Sequence, residues 1–392
     1  MRSVADAAAL AHRAAVLAAA LTLAGCGSLS LNPLDWFTRS APPPPAPLAE
    51  IANPVPTRAL WQASVGRAGL GVFTPAVARE AVYAAAEDGT VVRLDAATGK
   101  ELWRVRIPTR LTSGVGADES LVVVGSAEGE VIALETTGEM RWRARVSSEV
   151  LAPPVLTGEL VIVRSADSRI FALDARDGRR RWVFQRAAPP LTVRSPAGAV
   201  VRAGFVFAGF SGGKLVAVST ANGGLRWEGT VALPKGTTEL ERVSDVIGMP
   251  WVGEREACAA AFQGRVACFD LNNGNQIWAR EISSSAGLGV DARAVYVSED
   301  RGAVAAFSRT SGTSLWRQDR LANRQLTAPL PLGREIAVGD LQGYVHLLSQ
   351  DSGAFVGRIA TDGSRIVSTL VPFQGGFLVQ TSGGSLYALA LR

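Results

Sequence analysis

The sequence predicts an all-β chain folded as an eight-bladed β-propeller. Three observations predict it. A unit of strand, hairpin, strand, turn and strand recurs about every forty residues from Thr57 onward. A tryptophan marks the same point of the unit at positions 61, 103, 142, 182, 227, 278 and 316. The final unit lacks its last strand, while an unattached copy of that strand precedes the first unit. Periodicity of this length marks repeat architectures, in which each unit buries its faces against its neighbours. Composition agrees. Of the 392 residues, 47% are apolar and 41 are Gly, which suits many short strands and tight turns. Arginine carries nearly all the positive charge. The formal net charge of +5 is too mild to imply nucleic acid and fits an arginine-decorated surface.

The elements before the repeats read in order as targeting, anchor and spacer. Arg2 and Arg13 are positive, and Ala14 to Gly25 is an apolar run. A bilayer-spanning helix needs about 20 residues, so this run has signal-peptide length instead. It ends in Leu23-Ala24-Gly25-Cys26, which resembles the lipobox of bacterial lipoproteins. That resemblance implies removal of residues 1–25 and lipidation of Cys26. Gly27, where an Asp would retain the protein in the inner membrane, resembles the pattern for release to the outer membrane. Each buried CH₂ contributes about 0.8 kcal/mol and one chain anchors only marginally, so stable attachment needs the several acyl chains the pattern implies. Residues 26–55 form a linker containing Pro42-Pro43-Pro44-Pro45. Proline runs favour extended, semi-rigid chain. Trp36 and Phe37 in the linker suit either the lipid headgroup region or a partner surface.

The propeller occupies residues 56–392. Its clearest unit is AVYAAAEDGTVVRLDAATGKELWRVRI, from Ala81 to Ile107. A glycine lies four residues before six of the tryptophans, at Gly99, Gly138, Gly178, Gly223, Gly274 and Gly312. Gly353 places an eighth frame at position 357, where the residue is Gly357 and the tryptophan has been lost. The first two runs of each unit are apolar at nearly every position, as expected for strands covered on both faces. The third alternates: Trp103, Val105 and Ile107 share one face, Arg104 and Arg106 the other. Such a strand is half buried and belongs at the outer edge, where arginines discourage edge pairing. Leu60 to Val65 aligns with Leu102 to Ile107. The N-terminal strand is therefore expected to complete the last blade and close the ring.

Asp95 to Trp103 resembles the tryptophan-docking turn of quinoprotein-type propellers. The whole arrangement is more particular. A lipobox, a proline linker, eight units and one lost tryptophan resemble the BamB family, propeller lipoproteins of the outer-membrane β-barrel assembly (BAM) machinery. The resemblance runs from Cys26 to the C-terminus and is close at Val338 to Tyr344 and Asp351 to Val356. It implies an outer-membrane, periplasm-facing scaffold whose partner is BamA, bound through its POTRA domains, with unfolded barrel precursors as a further candidate partner.

Spacing and resemblance point to one face for that partner. Trp182 to Trp227 spans 45 residues and Trp227 to Trp278 spans 51, against 38 to 42 elsewhere. The excess falls in consecutive inter-blade loops, Ala187 to Gly198 and Thr230 to Gly248. Consecutive loops emerge side by side, and insertions in repeats often mark the binding face. Leu191-Thr192-Val193-Arg194 resembles one BamA-contact stretch of the family, and Thr237 to Asp245 the second. The resemblance carries over Leu191, Val193, Arg194 and Asp245. It departs at Ile247, where the family has a second acidic residue. An apolar pair beside an arginine is also a sound interface anchor on physical grounds. The competing reading is that Arg194 and Asp245 pair with each other to brace the loops.

Residue content argues against other functions. The mature chain has one histidine, His346, in an apolar strand, which excludes a multi-histidine metal site or a histidine-based nucleophilic relay. It reads as structural. A quinoprotein-type dehydrogenase shares the blade motif, but those enzymes carry vicinal cysteines over the cofactor, and this chain has none. A glycan- or ligand-binding envelope propeller would show clustered exposed aromatics, and the sequence shows no such cluster beyond the docking tryptophans and Trp251. No cofactor, metal or catalytic residue is expected. Cys258 and Cys268 flank one hairpin. They form either a cross-strand disulfide, permitted outside the cytoplasm, or two buried thiols, since a one-residue register change would put them on opposite faces.

Overall fold

A computed structural model describes residues 43–69 and 71–391. The lipobox, Cys26, Trp36 and Phe37 lie outside the described residues. Among those described, no helix is long and apolar enough to cross a membrane. Eight four-stranded antiparallel sheets account for the strands of the described residues. Blade 1 consists of Ala76–Ala78, Ala81–Ala85, Thr90–Asp95 and Glu101–Arg106. Blades 2 to 7 repeat this order. Blade 8 takes Val371–Phe373, Gly376–Gln380 and Ser385–Leu391 from the C-terminus and Thr57–Ser64 from the N-terminus. Thr57 pairs with Leu391 and Ser64 with Ser385. The ring is thus closed by hydrogen bonds between the two ends of the propeller, as its missing last strand predicts.

Each unit holds one strand more than the repeat reveals. The innermost strands are only two to four residues long, and neighbouring ones approach each other around the axis. Crowding there demands glycine in two of them. A Cβ on Gly116 would lie 2.0 Å from the Pro154 carbonyl oxygen, and one on Gly289 would lie 2.0 Å from that of Pro329. The second and third strands are buried along their length, as in Ala81–Ala85 and Leu121–Gly125. The outer strands alternate between half-buried and exposed positions.

The tryptophans lock each blade to the next. At seven junctions the indole N–H donates to a backbone carbonyl in the following blade's outer turn. Trp61 donates to Ala96 at 2.9 Å and Trp316 to Gln350 at 2.8 Å. The indole covers the turn glycine so closely that a Cβ on Gly99 would sit 2.6 Å from the Trp61 ring. Gly99 also has φ of 69°, a left-handed conformation that glycine adopts without steric cost.

The lost tryptophan has a topological reason. In blade 8 the third and outer strands come from opposite ends of the chain. No turn joins them, so a tryptophan at position 357 would have no turn to dock on. Leu347 stands directly opposite Gly357, and a Cβ on Gly357 would lie 2.9 Å from the Leu347 side chain. The corresponding partner is alanine behind Trp142, Trp182, Trp227, Trp316 and Trp61.

Cys258 and Cys268 are directly opposed in blade 5 and joined as a disulfide, Cα–Cα 4.1 Å, fully buried beneath Trp278.

His346 belongs to a buried ionic cluster in blade 7. Its Nε2 lies 2.9 Å from Asp340 Oδ2, which also accepts from Arg324 Nε at 2.7 Å. The other Asp340 oxygen accepts the backbone N–H groups of Gln342 and Tyr344. Burial opposes the Asp340 charge, but hydrogen bonds from His346, Tyr344 and Arg324 outweigh it and hold the carboxyl below its ordinary pKa. Burial pushes the His346 pKa below its ordinary value and outweighs the hydrogen bond and attraction from Asp340, with smaller repulsions from Arg324 and Arg358 adding to the lowering. Folded His346 therefore stays neutral at pH values where the unfolded chain, titrating near 6.5, takes up a proton. The unfolded state then binds more protons, so stability falls as pH drops through 6.5. The Asp340 contribution is lost later, below its unfolded value of 3.8. Urea titrations at pH 7 and pH 5 should show this first loss in the native chain and a smaller one in His346→Gln.

Candidate partner-binding face

The two faces of the ring differ. One carries the inter-blade loops and the hairpins joining second to third strands; we call it the loop face. The opposite, turn face carries the tryptophan-docking turns. The overlong loops belong to the loop face, between Gln185 and Ala199 and between Thr230 and Trp251.

Three consecutive inter-blade loops are tied together there. Asp245 is buried, and its carboxylate accepts the Val193 N–H at 2.6 Å and the Gly212 N–H at 3.1 Å. Arg194 makes a bidentate pair with Glu149 of the preceding loop, Nε to Oε1 at 3.0 Å and Nη2 to Oε2 at 2.8 Å. Arg194 and Asp245 thus do not pair with each other. Asp245 points inward to backbone donors, while Arg194 reaches across the surface with its side chain 53% exposed. Below the first loop, Arg164 donates to the Ala197 carbonyl at 2.7 Å and stacks on Phe210. Burial lowers its pKa to about 10, against attraction from Asp245, so it remains charged at neutral pH. A cavity of about 220 Å³ separates these groups, lined by Glu149, Arg164, Arg194, Ser195 and Asp245.

The second loop has its own brace. Glu241 accepts the N–H groups of Thr237 and Thr238 at 2.9 and 3.0 Å, and the Thr238 hydroxyl accepts the Glu241 N–H. This is the hydrogen-bond exchange of a capping box, closing a tight turn without a helix. The turn presents Leu240, 68% exposed. Leu191 is 42% exposed, and Leu233 and Met249 are exposed on the same two loops.

The structure therefore brings Leu191, Val193, Arg194 and Asp245 into one neighbourhood with distinct roles. Leu191 and Arg194 present side chains to solvent. Val193 and Asp245 hold the loops together. Ile247 is buried and packs into the wall of the cavity. Leu233, Leu240 and Met249 were not singled out by the sequence. The one available signal was an apolar residue between acidic neighbours, Glu239-Leu240-Glu241, inside an overlong loop.

A closed ring of eight four-stranded blades, with its overlong loops braced on one face, defines the class of eight-bladed β-propellers. The family model described as outer membrane protein assembly factor BamB matches residues 53–108, 87–318 and 300–391. The chain belongs to this family. It is 43% identical over 375 residues to the outer membrane protein assembly factor BamB of Bordetella pertussis, covering 95% of each chain. The crystal structure of BamB from Moraxella catarrhalis superposes with a TM-score of 0.76 at 31% identity, covering 84% of this chain and 99% of that one. The quinohemoprotein alcohol dehydrogenase from Comamonas testosteroni gives a TM-score of 0.67 at 13% identity, covering 86% of this chain and 76% of the enzyme, a likeness of fold alone. The family is one of outer membrane protein assembly factors.

Proposed function

We propose that this chain is a non-catalytic scaffold of the outer-membrane β-barrel assembly complex, docking its loop face on the periplasmic POTRA domains of BamA. Residues 1–25 direct export and are removed. Lipid on Cys26 holds the propeller at the periplasmic side of the outer membrane. The docked propeller orients the POTRA domains while barrel precursors are delivered and folded.

The observation that carries the docking reading is the set of exposed apolar side chains, Leu191, Leu233, Leu240 and Met249, beside Arg194 on loops that are internally braced. Arginine and desolvated apolar anchors supply most interface energy, and braced loops lose little entropy on binding. Affinity capture of the mature protein from envelope extracts, with partners identified by mass, tests the reading. BamA is the expected partner. Recovery of a quinone cofactor without BamA would contradict it.

A further inference from the structure

The chain does not enter the propeller directly at its first strand. Residues 45–55 lie on the rim of blade 7. The Ala46 N–H donates to the Ala322 carbonyl at 2.8 Å, and Arg324 Nη1 donates to the Ala46 carbonyl at 2.6 Å. Arg358 Nη2 donates to the Ala49 carbonyl at 2.5 Å. The Val55 N–H donates to the Val356 carbonyl at 2.7 Å. Ala49 is buried although it belongs to no strand.

These contacts have a direction. Ala322 and Arg324 sit in the inter-blade loop before blade 7, on the loop face. Val356 lies near the start of the outer strand Phe355–Ala360, beside the turn face. The segment therefore descends the blade from loop face to turn face and crosses to blade 8, where Thr57 begins the closing strand. Blade 7 is also the blade without a docking tryptophan, and Gly357 lies between the two residues that hold the segment. Arg324 is not free to move, because it is buried against Asp340 and Gln342.

We propose that residues 45–55 are a strap that seals the one junction lacking a tryptophan lock and fixes the exit of the membrane tether on the loop face. Arg324 and Arg358 read backbone carbonyls, so the strap needs extended chain with a small residue at position 49 more than a particular sequence. The strap then begins, at Pro45 and Ala46, on the face that carries Leu191, Arg194 and Leu240. This orienting consequence rests on lipid attachment at Cys26, whereas the strap itself does not.

Hydrogen exchange by NMR on the mature chain, compared with its Cys26→Ser form, separates the two. The Ala46 and Val55 amides should exchange at least about 100-fold more slowly than unstructured chain in both forms. Ala49→Asp and Arg358→Met should each remove that protection while the Trp61 and Ala63 amides of the closing strand stay protected. Unprotected Ala46 and Val55 in the native chain would overturn the strap, as would protection that survives both substitutions. Protection in the Cys26→Ser form together with absence of lipid on the native protein would retain the strap and remove only the orienting role.

Discussion

Asp340→Ala should destabilise the propeller by about 3–5 kcal/mol, the usual consequence of stripping one partner from a buried ion pair. Arg324 and Asp340 are both almost fully buried, and Asp340 satisfies four donors: Arg324, His346 and the amides of Gln342 and Tyr344. Alanine leaves the guanidinium without its counter-charge and two backbone N–H groups without an acceptor. Asp340→Asn keeps an acceptor for those amides and should lose less. Urea denaturation at pH 7 measures both. A loss below about 1 kcal/mol for the alanine variant would mean that solvent reaches the cluster and screens it, as at a surface pair.

Arg194→Asp should weaken BamA binding by at least about 2 kcal/mol, roughly thirtyfold, while leaving the fold intact. The substitution places a carboxylate beside Glu149, removes the bidentate pair and inverts the charge offered to a partner. Its structural cost should stay within about 1 kcal/mol, because the pair it breaks is substantially exposed. Equilibrium binding to the purified BamA POTRA domains, with thermal unfolding as the fold control, separates the two effects. Leu240→Asp should weaken binding too, without touching any brace. Unchanged affinity in both variants would remove the loop face from the interface.

What the sequence disclosed follows from how narrowly each position is constrained. Tryptophan and glycine recur in frame because an indole must cover a backbone turn at each junction, and few residues do either job. Gly357 was legible as a lost tryptophan. Its reason was not, since it depends on the last blade being assembled from both chain ends. The inner strands escaped notice because, at two to four residues, they are too short to show a periodic pattern. At the proposed docking face, overlong spacing located the loops, and resemblance selected Leu191, Val193, Arg194 and Asp245. The pairing of Arg194 with Glu149 was beyond reach. Glu149 precedes it by 45 residues, in the loop of another blade, and bears no local mark. The disulfide stood in the same position: spacing alone left the register open, and the direct opposition of Cys258 and Cys268 required the strand pairing.

The proposed docking places the loop face, and not the turn face, against BamA. Site-specific photo-crosslinking in intact cells tests this most directly, with the photoreactive residue placed at Leu191 or Leu240 on the loop face and at Ser311 or Asn273 on the turn face. BamA adducts are expected from the first pair and none from the second. Adducts from Ser311 or Asn273, with Leu191 and Leu240 silent, would contradict it.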